Sequence, residues 1–332
     1  MKHFTTIYDV PDPNALIEGA LQLKQNPFAF PELGKGKTIG LIFLNPSLRT
    51  RLSTQKAARL LGMEVMTMNL DKESWAIEWN DDMIMNGNTV EHIKDAAAVL
   101  GSYCDIIGMR CFPTLTNKKL DYGEKILVQL MKYCNVPMIS LESATLHPLQ
   151  SLADAITIKE NWKHMHRPKV VLTWAPHIKP LPQAVPNSFA EWMTKLDVDL
   201  TIIHPEGYEL CEDYTKGATI EYDQKKALQD ADFVYVKNWS AYHEYGLMPK
   251  VKDNWMMDLN KYQLTNTAGI MHCLPVRRDV ELSSKLIDHP NSLIQQQAAN
   301  RVFSAQAVIK NILEKMPMTK KITLENLSLE EA

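Results

Sequence analysis

Eight short apolar runs alternate with helical patterns along this chain, and that alternation constrains its fold more than any other feature. The runs cover residues 38–44, 64–70, 105–109, 137–141, 170–174, 200–204, 233–236 and 270–273. Between them, apolar residues recur at helical spacing over 90–100, 125–133, 149–162, 187–195 and 224–229. Fully apolar strands separated by helices predict parallel sheets covered by helices on both faces. A length of 332 residues accommodates two such units. The expectation is therefore an α/β chain of two domains, each a parallel sheet flanked by helices, joined by interdomain helices. A helix opening near His147 separates the fourth run from a fresh series starting at Lys169. It divides a first domain, 1–150, from a second, 151–296. A last helix, at about 297–316, is expected to pack back on the first domain, and 324–332 reads as a frayed acidic tail.

Composition narrows the classes of function. A formal net charge of −3 with no basic stretch gives no case for a nucleic-acid partner. No apolar run approaches the roughly 20 residues of a bilayer span, and the opening MKHFTTIYDV lacks an apolar signal core. Five cysteines at irregular spacing suit a reducing compartment and do not resemble a zinc set. The expectation is a cytoplasmic enzyme without a membrane partner.

In open parallel sheets, ligands gather where loops leave the carboxyl ends of strands. After the first run, FLNPSLRTR (43–51) goes straight from apolar residues into a proline and then arginines among hydroxyls. Pro46 biases Asn45 away from helical angles, Ser47 is a natural N-cap, and Leu48, Leu52, Ala57, Leu60 and Leu61 follow at helical spacing. Arg49 and Arg51 then fall in a first turn, where cations are disfavoured unless an anion offsets them. With Ser47 and Thr50 they outline an anion site; the plainer alternative is a capped surface helix. GKGKT (34–38) is no phosphate loop, because Pro31 stands where the earlier glycine belongs and the segment precedes a strand.

Arg110 follows the third run, and Glu142, His147 and Gln150 follow the fourth within LESATLHPLQSLAD (141–154). His147-Pro148 opens a helix with proline at its first position. A histidine there is ordinarily a cap, but Gln150 and Glu142 beside it suit a site for a carbonyl and an amide. The second half offers His177 and Lys179, then Lys237, then HCLPVRRD (272–279), whose plain reading is a buried thiol followed by solvated charges.

SLRT, HPLQ and HCLP, in this order and spacing, resemble the aspartate/ornithine carbamoyltransferase family over nearly the whole chain. The serine-methionine-glycine loop of the ornithine enzymes is missing. In its place TWAPHIKPLPQAVPNSFAEW (173–192) resembles the branch that acts on N-acylated ornithine in arginine biosynthesis, as do SWAIEWN (74–80) and the pair Asn300-Arg301.

That resemblance implies substrates, roles and assembly. Ser47, the Leu48 amide, Arg49, Thr50 and Arg301 are expected to hold the phosphate of carbamoyl phosphate. Thr50, Arg110 and His147 would face the carbamoyl oxygen, and Gln150 with the Leu274 carbonyl its NH2. Cys273 and Leu274 would orient the attacking amine. Glu142, Lys237 and Asn187 are placed on the N-acylornithine side, with His177, Lys179 and Arg278 toward the acyl arm. Trp75 would reach the pocket from a neighbouring subunit of a homotrimer. No metal or organic cofactor is implied. Acetyl-specific relatives carry a glutamate matched here by Val90, and a lysine matched by Glu281. Val90 removes a carboxylate that would repel a succinyl group, whereas Glu281 adds charge if it faces the site; the balance favours succinyl.

Overall fold

The computed structural model describes residues 1–316, so the expected tail at 324–332 lies outside the described residues. Two parallel sheets account for the apolar runs. The first contains β1 (Thr38–Phe43), β2 (Glu64–Asn69), β3 (Ile106–Arg110) and β4 (Met138–Glu142) in the order β2-β1-β3-β4. The second contains β5 (Lys169–Trp174), β6 (Asp199–Ile203), β7 (Thr219–Glu221), β8 (Phe233–Lys237) and β9 (Gly269–Met271) in the order β9-β8-β5-β6-β7. In each sheet the chain reverses direction once, between β1 and β3 and between β5 and β8. Those switch points open crevices at the carboxyl ends of the strands.

β1, β3 and β4 are buried almost throughout, as expected of strands covered on both faces. β2 departs from that expectation: it is an edge strand whose residues alternate between exposed and half-buried. The short edge strand β7, also exposed, carries too little apolar signal to be read from sequence. The β3–β4 register slips by one residue after Met109, which pairs with Ser140, so that Arg110 sits opposite Glu142. That irregularity turns the two side chains to one side of the sheet at its carboxyl end.

Helices α1 (Pro13–Gln25), α2 (Arg49–Leu60), α3 (Ile93–Tyr103), α4 (Lys125–Tyr133), α5 (Pro148–Asn161), α6 (Ala184–Met193) and α7 (Ile294–Leu313) cover the sheets. α1 precedes the SLRT helix and was not anticipated, although Asp12 caps it through the Ala15 amide and Pro13 occupies its first position. The pattern at 90–100 becomes helical only at Ile93. Before it, Glu91–His92 pairs with Ile77–Glu78 in a small parallel ribbon, which leaves Val90 in an exposed loop.

α5 bridges the two sheets. Every residue from Pro148 to Ile158 is buried, polar ones included, so those polar groups need partners inside the protein. α7, packed against α5, α2 and α1, supplies many of them. Ser304 donates to the Leu149 carbonyl (2.7 Å), Asn300 to Thr157 (2.9 Å) and Gln297 to Asp154 (2.7 Å). The two halves also meet beyond the helices, where Tyr245 donates to Asp121 (2.9 Å) and Asn187 to the Thr145 carbonyl (3.3 Å).

Candidate active site

Both switch points open onto one cavity of about 910 Å³ between the sheets. Two smaller cavities, about 550 and 530 Å³, lie beside Met1 and α7 and contain no arginine in their walls.

The inner end is built by the first sheet. Helix α2 begins at Arg49 with Leu48 as its N-cap, one residue later than expected, yet the Ser47 hydroxyl still accepts from the Thr50 amide (3.3 Å). Thr50 Oγ1 accepts from Arg110 Nη1 (3.2 Å) and from Arg301 Nη2 (2.7 Å). With two donors converging on that oxygen, the hydroxyl proton is left for a ligand. Arg110 also pairs with Glu142 at 2.6 Å, as the β3–β4 slip allows, and stacks over Phe112 at 4.4 Å. The Nε atoms of Arg49, Arg110 and Arg301 are all buried without a hydrogen-bond partner among the described residues. Burial pulls the Arg301 guanidinium down to about 10 and lowers that of Arg49. Three crowded guanidiniums around one committed carboxylate make a cationic pocket that an anion would complete.

His147 is fully buried. Its Nε2 lies 3.4 Å from both Glu142 and Arg301, and its Nδ1 has no partner among the described residues. Burial, reinforced by Arg301, Arg110 and Arg49, holds it well below the ordinary histidine range, so the ring is neutral at neutral pH. Gln150 donates through Nε2 to Asp154 (2.7 Å), which leaves a buried, unpartnered Oε1. The turn delivering these groups is clamped by Glu124, whose carboxylate accepts from Ser143 Oγ (2.6 Å) and from the amides of Ala144 (3.2 Å) and Thr145 (2.7 Å). Glu124 lies about twenty positions upstream, and nothing local in the sequence marks it.

The outer end comes from the second sheet. Lys237 leaves β8 and Cys273 follows β9, both buried. Burial raises the Cys273 thiol, so it is present as SH and not as a thiolate nucleophile. Leu274 adopts a left-handed conformation (φ 56°), and its amide donates to His272 Nδ1 (2.9 Å). Such a conformation is unusual for a leucine and turns the backbone of this loop sharply. His177 Nε2 accepts from Arg277 Nε (3.1 Å), and its Nδ1 lies against the Lys179 backbone, 2.8 Å from the carbonyl and 3.2 Å from the amide. Leu181, Pro182, Val185 and Val276 form an apolar wall beside them.

Four expected site residues lie outside this cavity. Arg278 points away, forked onto Asp288 at 2.7 and 2.8 Å, and Arg277 lines the cavity instead. Two adjacent arginines after a turn cannot be told apart by sequence. Asn187 is buried between the halves and holds the Thr145 carbonyl. Trp75 and Val90 are exposed on the surface of this chain, Trp75 donating to Glu91 (2.7 Å). Glu281 does not face the site: it is buried, accepts the Arg277 amide (2.7 Å) and lies 3.7 Å from His272. Phe112 and the apolar wall had no sequence signal separating them from core residues.

Comparison with known proteins agrees with this arrangement. Residues 2–160 match the model of the aspartate/ornithine carbamoyltransferase carbamoyl-P binding domain, and residues 182–312 that of the Asp/Orn binding domain. The N-succinylornithine carbamoyltransferase of Bacteroides fragilis (strain 638R) is 47% identical over 96% of this chain and 100% of its own length. The N-acetylornithine carbamoyltransferase of Xanthomonas campestris pv. campestris is 35% identical over 93% of this chain and 97% of its own. Among solved structures, N-acetyl-L-ornithine transcarbamylase superposes with a TM-score of 0.87 at 34% identity, covering 94% of this chain and 100% of that one. A variant of that enzyme with a glutamate replaced by valine, complexed with carbamyl phosphate and N-succinyl-L-norvaline, gives 0.86 at 34% identity with the same coverage. With a model matched in each half and relatives this similar over their full length, the chain belongs to the aspartate/ornithine carbamoyltransferase family.

Proposed function

We propose that this chain transfers the carbamoyl group of carbamoyl phosphate to the δ-amine of N-succinyl-L-ornithine, giving N-succinyl-L-citrulline and phosphate, a step of arginine biosynthesis. The observation that carries the reading is the charge layout of the cavity. Among the described residues that line it, Glu142 is the single carboxylate and is already committed to Arg110, while cations stand at both ends. Such a cavity suits a substrate pair that is anionic at both extremes.

In this reading the first domain binds the donor. Ser47, the Leu48 amide, Arg49, Thr50 and Arg301 grip the phosphate, and the guanidiniums neutralise charge growing there as the C–O bond breaks. Arg110, the Thr50 hydroxyl and neutral His147 face the carbamoyl oxygen and stabilise the tetrahedral oxyanion. Gln150 Oε1 and the Leu274 carbonyl accept from the carbamoyl NH2.

The second domain binds the acceptor. An alkylamine has a pKa of about 10, and the neighbouring cations lower it and favour the free base. Cys273 and Leu274 orient its lone pair toward the carbamoyl carbon. As the new C–N bond forms and the C–O bond breaks, the surplus amine proton leaves with the phosphate. Lys237 serves the amino-acid end, and His177, Lys179 and Arg277 hold the acyl arm, whereas Glu142, expected beside the acceptor, holds Arg110 at 2.6 Å on the donor side.

Two features support succinyl over acetyl. Lys179 and Arg277 offer cations to a terminal carboxylate, and uncharged Val90, which lies outside its own chain's cavity and would act only on a neighbouring subunit's pocket, stands where acetyl-specific relatives carry glutamate. The solved valine variant with N-succinyl-L-norvaline agrees in chemistry. We further propose a cytoplasmic homotrimer in which Trp75 completes a neighbour's pocket. No helix among the described residues is long and apolar enough to cross a membrane.

The test is turnover of carbamoyl phosphate with N-succinylornithine, N-acetylornithine and ornithine. The succinyl substrate should dominate, and Arg277→Ala should raise its KM roughly tenfold with little change for the acetyl one. Preference for acetylornithine would defeat the acyl assignment. Preference for free ornithine would defeat the reading of the proline-rich loop.

A further inference from the structure

Gln150 is oriented by a carboxylate that the chemistry above does not touch. Asp154 lies one turn further along α5 and is fully buried. Its Oδ1 accepts from Gln150 Nε2 and from Gln297 Nε2, both at 2.7 Å, while its Oδ2 is buried and accepts no geometrically sound hydrogen bond among the described residues. Burial pushes this carboxyl up to about 7 against the pull of the two amides, of Arg301 and of the Tyr235 hydroxyl nearby. A proton, when present, belongs on the unpartnered Oδ2, so Oδ1 accepts in either state.

The two glutamines therefore have no freedom in how they face. A side-chain amide is nearly symmetric in shape, and its partners alone decide which end carries oxygen. With its NH2 turned to Asp154, Gln150 presents to the cavity a buried Oε1 that has no partner among the described residues. Gln297, held the same way, turns its Oε1 to the His272 amide (2.9 Å), at the root of the loop carrying Cys273 and Leu274. One acceptor thus sets both amides, that of Gln150 in the cavity wall and that of Gln297 behind the His272–Leu274 loop.

We infer that Asp154 is a positioning residue that makes the inner pocket select an acyl phosphate bearing NH2 over one bearing a methyl group, by locking Gln150 with its oxygen toward the ligand. The inference rests on the carbamoyl phosphate reading and adds to it a source of donor selectivity beside the Leu274 carbonyl. Carbamoyl and acetyl phosphate have nearly the same shape and charge. Only the first gives Gln150 Oε1 a hydrogen, so the second leaves a buried acceptor unsatisfied.

The test is calorimetric binding of carbamoyl phosphate and of acetyl phosphate to the full chain. The wild type is expected to favour carbamoyl phosphate by about tenfold or more. In Asp154→Leu the amide is free to turn, and the preference should fall at least fivefold toward parity. Asp154→Asn, whose amide oxygen can accept the same two bonds, should keep it within about threefold. Asp154→Ser is read as the leucine variant is, should that chain not fold. A purely structural role weakens both ligands alike, so an unmoved ratio in folded Asp154→Leu or Asp154→Ser overturns the proposal. Wild-type protein that binds no carbamoyl phosphate defeats the underlying reading instead.

Discussion

Arg49→Ala is expected to lower kcat/KM by roughly three orders of magnitude, about 4 kcal/mol of transition-state stabilisation, while leaving the fold intact. Arg49 stands at the positive end of α2, half-buried, beside Arg110 and Arg301, and its Nε has no partner among the described residues. Burial and the neighbouring Arg110 disfavour its charged form, while the Glu142 carboxylate favours it. Removing it relieves like-charge crowding, so the thermal midpoint should stay level or rise slightly. In the wild type, phosphate or carbamoyl phosphate should raise that midpoint, since either binds only the folded state, and the variant should lose most of the rise. A variant that retained activity within tenfold of wild type would show that the anion is gripped elsewhere.

Mixing two inactive proteins should give an active one. Trp75 is exposed and lies outside the cavity of its own chain, so Trp75→Ala should cripple a site that draws it from a neighbour. Arg49→Ala cripples the site of its own subunit. Random re-association of equal amounts in a cyclic trimer gives about one site in four an intact Arg49 from one chain and an intact Trp75 from the next. Activity should therefore return to about a quarter of wild type, far above either parent. Sedimentation of the mixture before and after re-association checks that subunits have exchanged. No recovery despite exchange would mean that each site is built by a single chain.

Much of the inner site was legible because parallel sheets present side chains at predictable ends. Ser47 to Thr50, Arg110, His147 and Gln150 all follow strand termini, and all reach one cavity. What escaped depended on partners distant in the chain. Residues 90–92 fit a helical pattern, yet Glu91–His92 is drawn into a ribbon by Ile77–Glu78. The choice between Arg277 and Arg278 is made by the turn after Leu274 and by Asp288, ten positions on. Glu124 serves the Ser143–Thr145 turn across twenty residues, and no local spacing signals that. Other omissions were readable. Asp12-Pro13 before Leu16, Ile17, Ala20 and Leu23 is a helix start, and those four residues are the buried face of α1. Asp154 stands four positions after Gln150, the spacing that brings two side chains together on a helix.

Arg301 has a consequence for how the protein comes into being. The third guanidinium of the pocket sits on α7, a helix synthesised some 250 positions after Thr50, which it touches at 2.7 Å. The same helix covers α5, whose buried polar groups rely on it. A nascent polypeptide that has not yet emerged through residue 313 therefore holds neither a finished anion pocket nor a settled bridge between its halves. A message broken before that point should yield insoluble or degraded fragments, with no half-working donor-binding piece among them. Competence to bind arrives late in translation and nearly all at once.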